Sequence, residues 1–291
     1  NTTGSNNTAV GFIALDANTT ASNNTAIGYA ALSSNTTGAN NVAVGYQALD
    51  AETVGSNTVA IGNEALTAQN FTTATDVFNV AVGYQAGAAN TTGKSNTFIG
   101  AESGKATTTG ENNVFVGHEA GEANTTGHSH VAIGRDALTS NTTGIGAVAV
   151  GHRAALVNTA NYTVAVGYDV LKANTTGAGN VGVGVSALES NTTGNYNISV
   201  GGNSMASNTT GAENVAVGYN ALDASSTSSY NVAVGYGALT QMTTGNSNTA
   251  LGHRASDAST TASNTVAVGT DALGALTTGN ANVAVGKDTL S

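Results

Sequence analysis

Gly28-Tyr29-Ala30-Ala31-Leu32-Ser33-Ser34-Asn35-Thr36-Thr37-Gly38-Ala39-Asn40-Asn41-Val42-Ala43-Val44 is one full period of a chain that repeats itself, and Gly45 starts the period again. A glycine preceded by Val, Ile or Leu recurs at Gly11, Gly28, Gly45, Gly62, Gly83, Gly100, Gly117, Gly134, Gly151, Gly167, Gly184, Gly201, Gly218, Gly235, Gly252, Gly269 and Gly286. The interval is 17 residues, except for 21 between Gly62 and Gly83 and 16 between Gly151 and Gly167. A fixed short period marks a solenoid, in which one coil cannot bury its apolar face alone and stacked coils share a core. The repeat therefore predicts a single repetitive domain over residues 1–291, with a small insertion loop at 67–78.

Positions are counted here from the marker glycine, phase 0. Phase −1 is Val, Ile or Leu in every coil, and phase −3 is Val, Ile or Thr. β-Branched residues at alternate positions predict a short strand with one face packed. Phases +3 and +4 read Ala-Leu in most coils, which predicts a second short extended segment. Asn-Thr-Thr-Gly tracts, as at 35–38, 90–93 and 191–194, read as turns, because Asn and Gly tolerate positive φ. The fold class is therefore all-β, a parallel β-solenoid of 17 coils. At a ladder spacing of about 4.8 Å the coils span roughly 80 Å.

Phase −2 points away from phases −1 and −3, yet it is Ala in almost every coil. A small apolar residue on the second face predicts a second buried contact. Leu at phase +4 gives way to Gly87, Gly104 and Gly121, and in the strands between them phase −2 becomes Phe98 and then Phe115. Bulk lost at one phase returns at the other, as a core of conserved volume requires. Two cores fit poorly in one thin coil. The expectation is a homotrimer in which Ala43, Ala60, Phe98, Phe115, Ala216 and Ala233 form the subunit interface. A monomer with a two-layer core is the alternative.

Composition narrows the function. Charged residues are 8% and the net charge is −10, which disfavours nucleic acid and anionic membranes as partners. There is no Cys, so no disulfide or thiolate site, and no Pro, which suits a backbone whose amides are needed in ladders. No apolar run approaches the ~20 residues of a membrane-spanning helix. The chain begins at Asn1 and stops within a coil at Ser291, so it reads as a window of a longer fibre or as a unit that stacks end to end.

Several rows are candidates for binding. Tyr29, Tyr46, Tyr84, Tyr168, Tyr219 and Tyr236 share phase +1 and form either a platform for sugars or a ladder of rings that ties coils together. Phe71 and Phe78 lie in the insertion, which is either a recognition loop or an insertion with its rings tucked away. His128 and His130 alternate, so both imidazoles can face one way toward a metal ion; otherwise they are a solvated pair. Acidic residues at phase +2 read as a solvated face. Asn-x-Thr sites such as Asn35, Asn90 and Asn191 are acceptors for N-glycosylation in a host that performs it. Paired threonines leave ice binding as a minor reading. No nucleophile motif or phosphate loop is present, so no enzyme activity and no cofactor are expected.

Asn-x-Val-Ala-Val-Gly at 40–45 and Asn-Thr-Ala-Ile-Gly at 24–28 resemble the head repeats of trimeric autotransporter adhesins. The longer unit, Val-Ala-Val-Gly-Tyr-x-Ala-Leu followed by Asn-Thr-Thr-Gly, is similar to repeats of phage tail-fibre proteins. The resemblance covers essentially the whole chain. It implies a trimeric β-roll outside the cell, on a virion or a bacterial surface, that supports attachment to a host or a surface glycan. A self-assembling extracellular filament and a glycan-binding module that uses the Tyr row are the alternatives.

Overall fold

The computed structural model describes residues 1–291. The chain forms two compact units, Asn1–Gly146 and Ala147–Ser291. All regular structure is β, and no helix is present. The first unit stacks eight three-residue strands, from Thr8–Val10 and Thr25–Ile27 to Val114–Val116 and Val131–Ile133. The second stacks nine, from Val148–Val150 to Val283–Val285. Successive strands pair in parallel without slip, phase on phase, as in Val42↔Val59, Ala43↔Ala60 and Val44↔Ile61. A small parallel pair, Gly55–Ser56 with Thr75–Asp76, accompanies the insertion in the first unit. Each unit is therefore a parallel β-solenoid, as the repeat predicts.

The expected second extended segment is not a strand. From the marker glycine onward the chain runs through turns, as over 45–51. Residues at phases +2 and +4 take left-handed backbone, for example Gln47 at φ 51° and Leu49 at φ 53°. That conformation costs a non-glycine residue roughly 1–2 kcal/mol. The ladder explains why it persists. The Ala30 amide donates back to Phe12 of the preceding coil (3.0 Å), and the Leu32 amide donates forward to Ala48 of the next (3.0 Å). The two left-handed residues thus send their amides to opposite neighbours, while the phase +3 amide between them turns back to its own marker glycine, as Ala65 to Gly62 (3.4 Å), so hydrogen bonding continues where strand geometry stops. The Leu side chain is then fully buried, which contributes about 1.5–3 kcal/mol and offsets the backbone cost. At the marker glycine itself φ is near +130°, and an added Cβ would collide with the next coil's glycine carbonyl, as at Gly28 against Gly45.

Which face of the strand looks inward is a correction. The middle residue is the buried one, and phases −3 and −1 face outward. Ala43, Ala60, Phe98, Phe115, Ala216 and Ala233, expected at a trimer interface, are all fully buried inside their own coil. The physical reason is width. A flattened coil holds one thin core, so the strand turns its small residue in, against Ala and Leu of phases +3 and +4, and its β-branched residues out. The link between phases −2 and +4 is nonetheless real. An added Cβ at Gly87 would fall 2.5 Å from the Phe98 ring, and one at Gly121 would fall 2.6 Å from the Phe115 ring. The second unit contains a parallel case. Val170 stands where neighbouring coils have Ala, and opposite it Gly182 replaces Ala, with its added Cβ only 2.5 Å from Val170.

The rest of the interior is polar, which the sequence reading missed. Asparagines at phase −4, such as Asn24, Asn41, Asn214 and Asn231, are fully buried. Asn41 Nδ2 donates to the Gly55 carbonyl (2.8 Å), and its Oδ1 accepts from the Thr58 amide (3.0 Å). A second buried row at phase +7 closes the turns. Asn35 Oδ1 accepts from Gly38 N (3.1 Å) while its Nδ2 donates to Gly38 O (2.9 Å). Along this row, Asn208 Nδ2 donates to Asn191 Oδ1 and Asn191 Nδ2 to Asn174 Oδ1, both at 2.7 Å. A buried amide left unpaired costs about 1–3 kcal/mol, so a run of paired ones specifies coil register as well as stability. Asn35, Asn90 and Asn191 are fully buried, so the folded coil withholds these glycosylation acceptors.

Candidate functional site

With the interior occupied by ladders, function falls to the outer rows. The broadest is the strand face, where phases −3 and −1 present two parallel lines of Val, Ile, Thr and Leu. Among them Ile27, Ile99 and Ile133 in the first unit and Ile198, Val217 and Leu251 in the second are exposed. Single exposed aliphatic residues are ordinary; here they recur on one face of the strands, with half-buried Val and Thr between them.

Beside that face runs the phase +1 row. Tyr29, Tyr46, Tyr84, Tyr168, Tyr219 and Tyr236 are all about half exposed. Most are stacked on a ring of a neighbouring coil. Phe12, Tyr29 and Tyr46 form one run, with centroids 5.6 and 5.3 Å apart. Tyr219, Tyr236 and His253 form another at 5.7 and 5.4 Å, and His152 pairs with Tyr168 at 5.1 Å. Tyr29 and Tyr236 have a ring on both faces, and the other members of these runs have a ring on one. This is the coil-tying ladder. Tyr84 has no ring in stacking contact.

A second aromatic row was not anticipated. Tyr162, Tyr196 and Tyr230 lie at phase −5 of alternate coils in the second unit and are 65, 65 and 58% exposed. None is stacked on another ring. Aligning the coils by the marker glycine would have found them, since the same phase holds Asn in most coils of the first unit.

The insertion divides its two rings. Phe71 is buried, with the Lys94 ammonium 5.7 Å from its centroid, whereas Phe78 is exposed at phase −5. The coil before it carries the buried carboxylate Glu52, which takes the place of an asparagine in the phase +7 row. Its Oε1 accepts from the amides of Thr53 (2.9 Å), Val54 (3.1 Å) and Gly55 (2.7 Å), and its Oε2 from Gln69 Nε2 (3.0 Å). Gln69 Oε1 in turn accepts from Asn79 Nδ2 across the same long coil (2.8 Å), and Asn79 Nδ2 also donates to the Gly93 carbonyl of the next coil (2.7 Å), so the long coil is tied to both neighbours.

The two histidines do not converge. His128 is exposed in a shallow depression with Thr109, Glu111, Asn112 and Thr126. His130 is fully buried and directs Nε2 to the Gly144 carbonyl at 2.7 Å, the bond that asparagine makes at this phase in other coils. It is a member of the asparagine row, and the expected metal pair is not formed. A different trio, His118, Glu119 and Asp136, has ligand-type atoms within 4.8 Å of one another on the outer surface.

The phase +2 row is partly a line of ion pairs rather than a purely solvated face. Arg153 donates from Nε to Asp169 Oδ1 (2.8 Å) and from its terminal nitrogen to Oδ2 (2.6 Å), with the guanidinium 5.7 Å from the Tyr168 ring. The bond to Asp169 raises the Arg153 guanidinium above its ordinary value, and Asp257 does the same for Arg254. On the inner side of the rim, burial pushes the Asp223 carboxyl up, and burial likewise raises Asp50, against the hydrogen bond that Asp50 accepts from Thr67.

No protein-family model, no curated protein and no solved structure matches the chain.

Proposed function

We propose that this chain is a non-enzymatic structural segment of a fibre that assembles as a homotrimer outside the cell, in a phage tail fibre or a bacterial surface adhesin, and carries an attachment function away from its anchor. The observation that supports this reading is the outward-facing line of β-branched residues at phases −3 and −1. Each unit spends its interior on repeating ladders and leaves a long apolar face uncovered, which self-association would bury. Closed symmetry would then cover that face on every subunit. The resemblance to adhesin-head and tail-fibre repeats supplies the subunit number and the location.

Sedimentation equilibrium at micromolar concentration tests the assembly. A trimer mass is expected for the unaltered chain. Val232→Glu with Val266→Glu, both outside the coil, should give a monomer with a nearly unchanged melting temperature. An unaltered chain that sediments only as a monomer would sink the homotrimer.

A further inference from the structure

Tyr162, Tyr196 and Tyr230 are expensive residues to place where they stand. Their φ values are 55°, 56° and 63°, the left-handed region that costs a bulky residue most, and the commonest residue at this phase is asparagine, as at Asn6, Asn23, Asn40, Asn57, Asn112 and Asn264, with Phe78 the one other aromatic. The ladder holds this backbone whatever the side chain, since Tyr196 N donates to Ala178 O (3.0 Å) and Tyr230 N to Ala212 O (3.2 Å) as asparagine amides do in other coils; the rings themselves are exposed and unstacked, and their hydroxyls make no hydrogen bond. Large exposed rings kept where asparagine makes the same ladder bond point to a function outside the fold.

Their spacing gives that function a shape. They occupy alternate coils, so they repeat at about 9.6 Å, twice the ladder spacing. The coil between Tyr162 and Tyr196 has Gly179 at the same phase, and an added Cβ there would fall 2.7 Å from the Tyr196 ring. Glycine thus lets Tyr196 lie back over the preceding coil. Between Tyr196 and Tyr230 the phase holds the exposed carboxylate of Glu213. Three positions earlier in each coil, Thr176, Thr193, Thr210 and Thr227 are exposed. Their hydroxyls have no partner in the chain, unlike Thr175, Thr192 and Thr209, which donate to the next coil.

We infer that this row is a binding platform for a neutral, extended β-1,4-linked hexose chain. Such a glycan presents the same sugar face at every second residue, a disaccharide repeat close to the two-coil spacing. The tyrosines supply an apolar surface at that repeat, and the threonine row and Glu213 supply hydrogen-bonding groups alongside. A net charge of −10 favours a neutral chain over an anionic one. The platform does not depend on the assembly proposed above, nor on the phase +1 row, whose rings stack on one another.

Native gel electrophoresis of the full chain through gels containing hydroxyethylcellulose tests it, with parallel gels containing soluble starch for the α-linked chain. The unaltered protein should be retarded by the β-glucan and not by starch. Tyr162→Asn, Tyr196→Asn and Tyr230→Asn together install the residue preferred at this phase, so the variant should melt no lower than the parent and lose the retardation. Tyr196→Asn alone should weaken association roughly tenfold, the effect of about 1.4 kcal/mol. Tyr219→Ser with Tyr236→Ser should bind as the parent does. The inference is overturned if the parent is not retarded, if starch retards it equally, if the triple variant binds unchanged, or if that variant instead alters the sedimenting mass without glycan, which would make the row a subunit contact.

Discussion

The coils around Phe98 and Phe115 in the first unit and those around Ala216 and Ala233 in the second fill the same interior from opposite sides. In the first, the strand contributes a ring and the turn contributes Gly87, Gly104 and Gly121; in the second, the strand contributes Ala and the turn contributes Leu222 and Leu239. All these side chains or their counterparts are fully buried. What is held constant is the volume of a thin core, and not the identity of any position in it.

The largest effect should come from placing a charge in that core. Ala216→Glu buries a carboxylate in the apolar interior, which should cost at least about 3–5 kcal/mol and abolish cooperative melting followed by circular dichroism. A variant that melts like the parent would return phase −2 to the outside of the coil. Next, Phe98→Ala should cost about 3–5 kcal/mol, and adding Gly104→Leu should recover part of it although Gly104→Leu alone is destabilising. Additive effects in denaturant melts would show that the two phases do not share space.

The polar half of the interior offers a finer test. Ser225 and Ser228 bond each other where other coils pair Asn with Gly. Asn18, which faces Ala21 instead of glycine, leaves its Oδ1 without a partner, and so does Asn208, whose row ends at Ser225. Ser225→Asn alone should therefore cost about 1–3 kcal/mol. With Ser228→Gly it should match or exceed the parent, because the asparagine row is then continuous. The smallest effect lies at the rim. Burial raises the Asp223 carboxyl above its unfolded value of 3.8, so the native state binds more protons than the unfolded state just above that pH. Stability contributed by this group thus falls as pH rises through the window. Asp223→Asn should raise the neutral-pH melting temperature slightly and narrow its gain over the parent as pH falls toward about 4. A gain that grows on acidification would reverse the sign and the argument.

Much of this was legible in the sequence. The period gave the solenoid, the marker glycine gave the corner, and the exchange of Leu for Gly against Ala for Phe gave two phases in one core. The face of the strand was not legible, because alternation divides Val-Ala-Val into two sides without saying which is inside. Coil width decides it, and width is set by the turn. The turn was misread because Ala-Leu has no preference for left-handed backbone; only the ladder to both neighbours makes it favourable. Asn read as a turn former for the same reason, since its role inside depends on a partner one coil away. His130 would have been recognised by its phase, which is that of buried asparagine. Tyr162, Tyr196 and Tyr230 were overlooked because they are rare at their phase, whereas the phase +1 tyrosines are common.

Near-identical coils carry a hazard that the irregular ones remove. A strand that pairs one period too early finds the same Val-Ala-Val partner and the same asparagine, so the ladder alone scarcely distinguishes the right neighbour from the next one along. The ring of Phe98 fits only beside Gly87 and Gly104, and Val170 only opposite Gly182. Each unit thus holds a key that admits one threading of the chain, and a consensus version without these pairs would fold to a mixture of shifted stacks with looped-out coils.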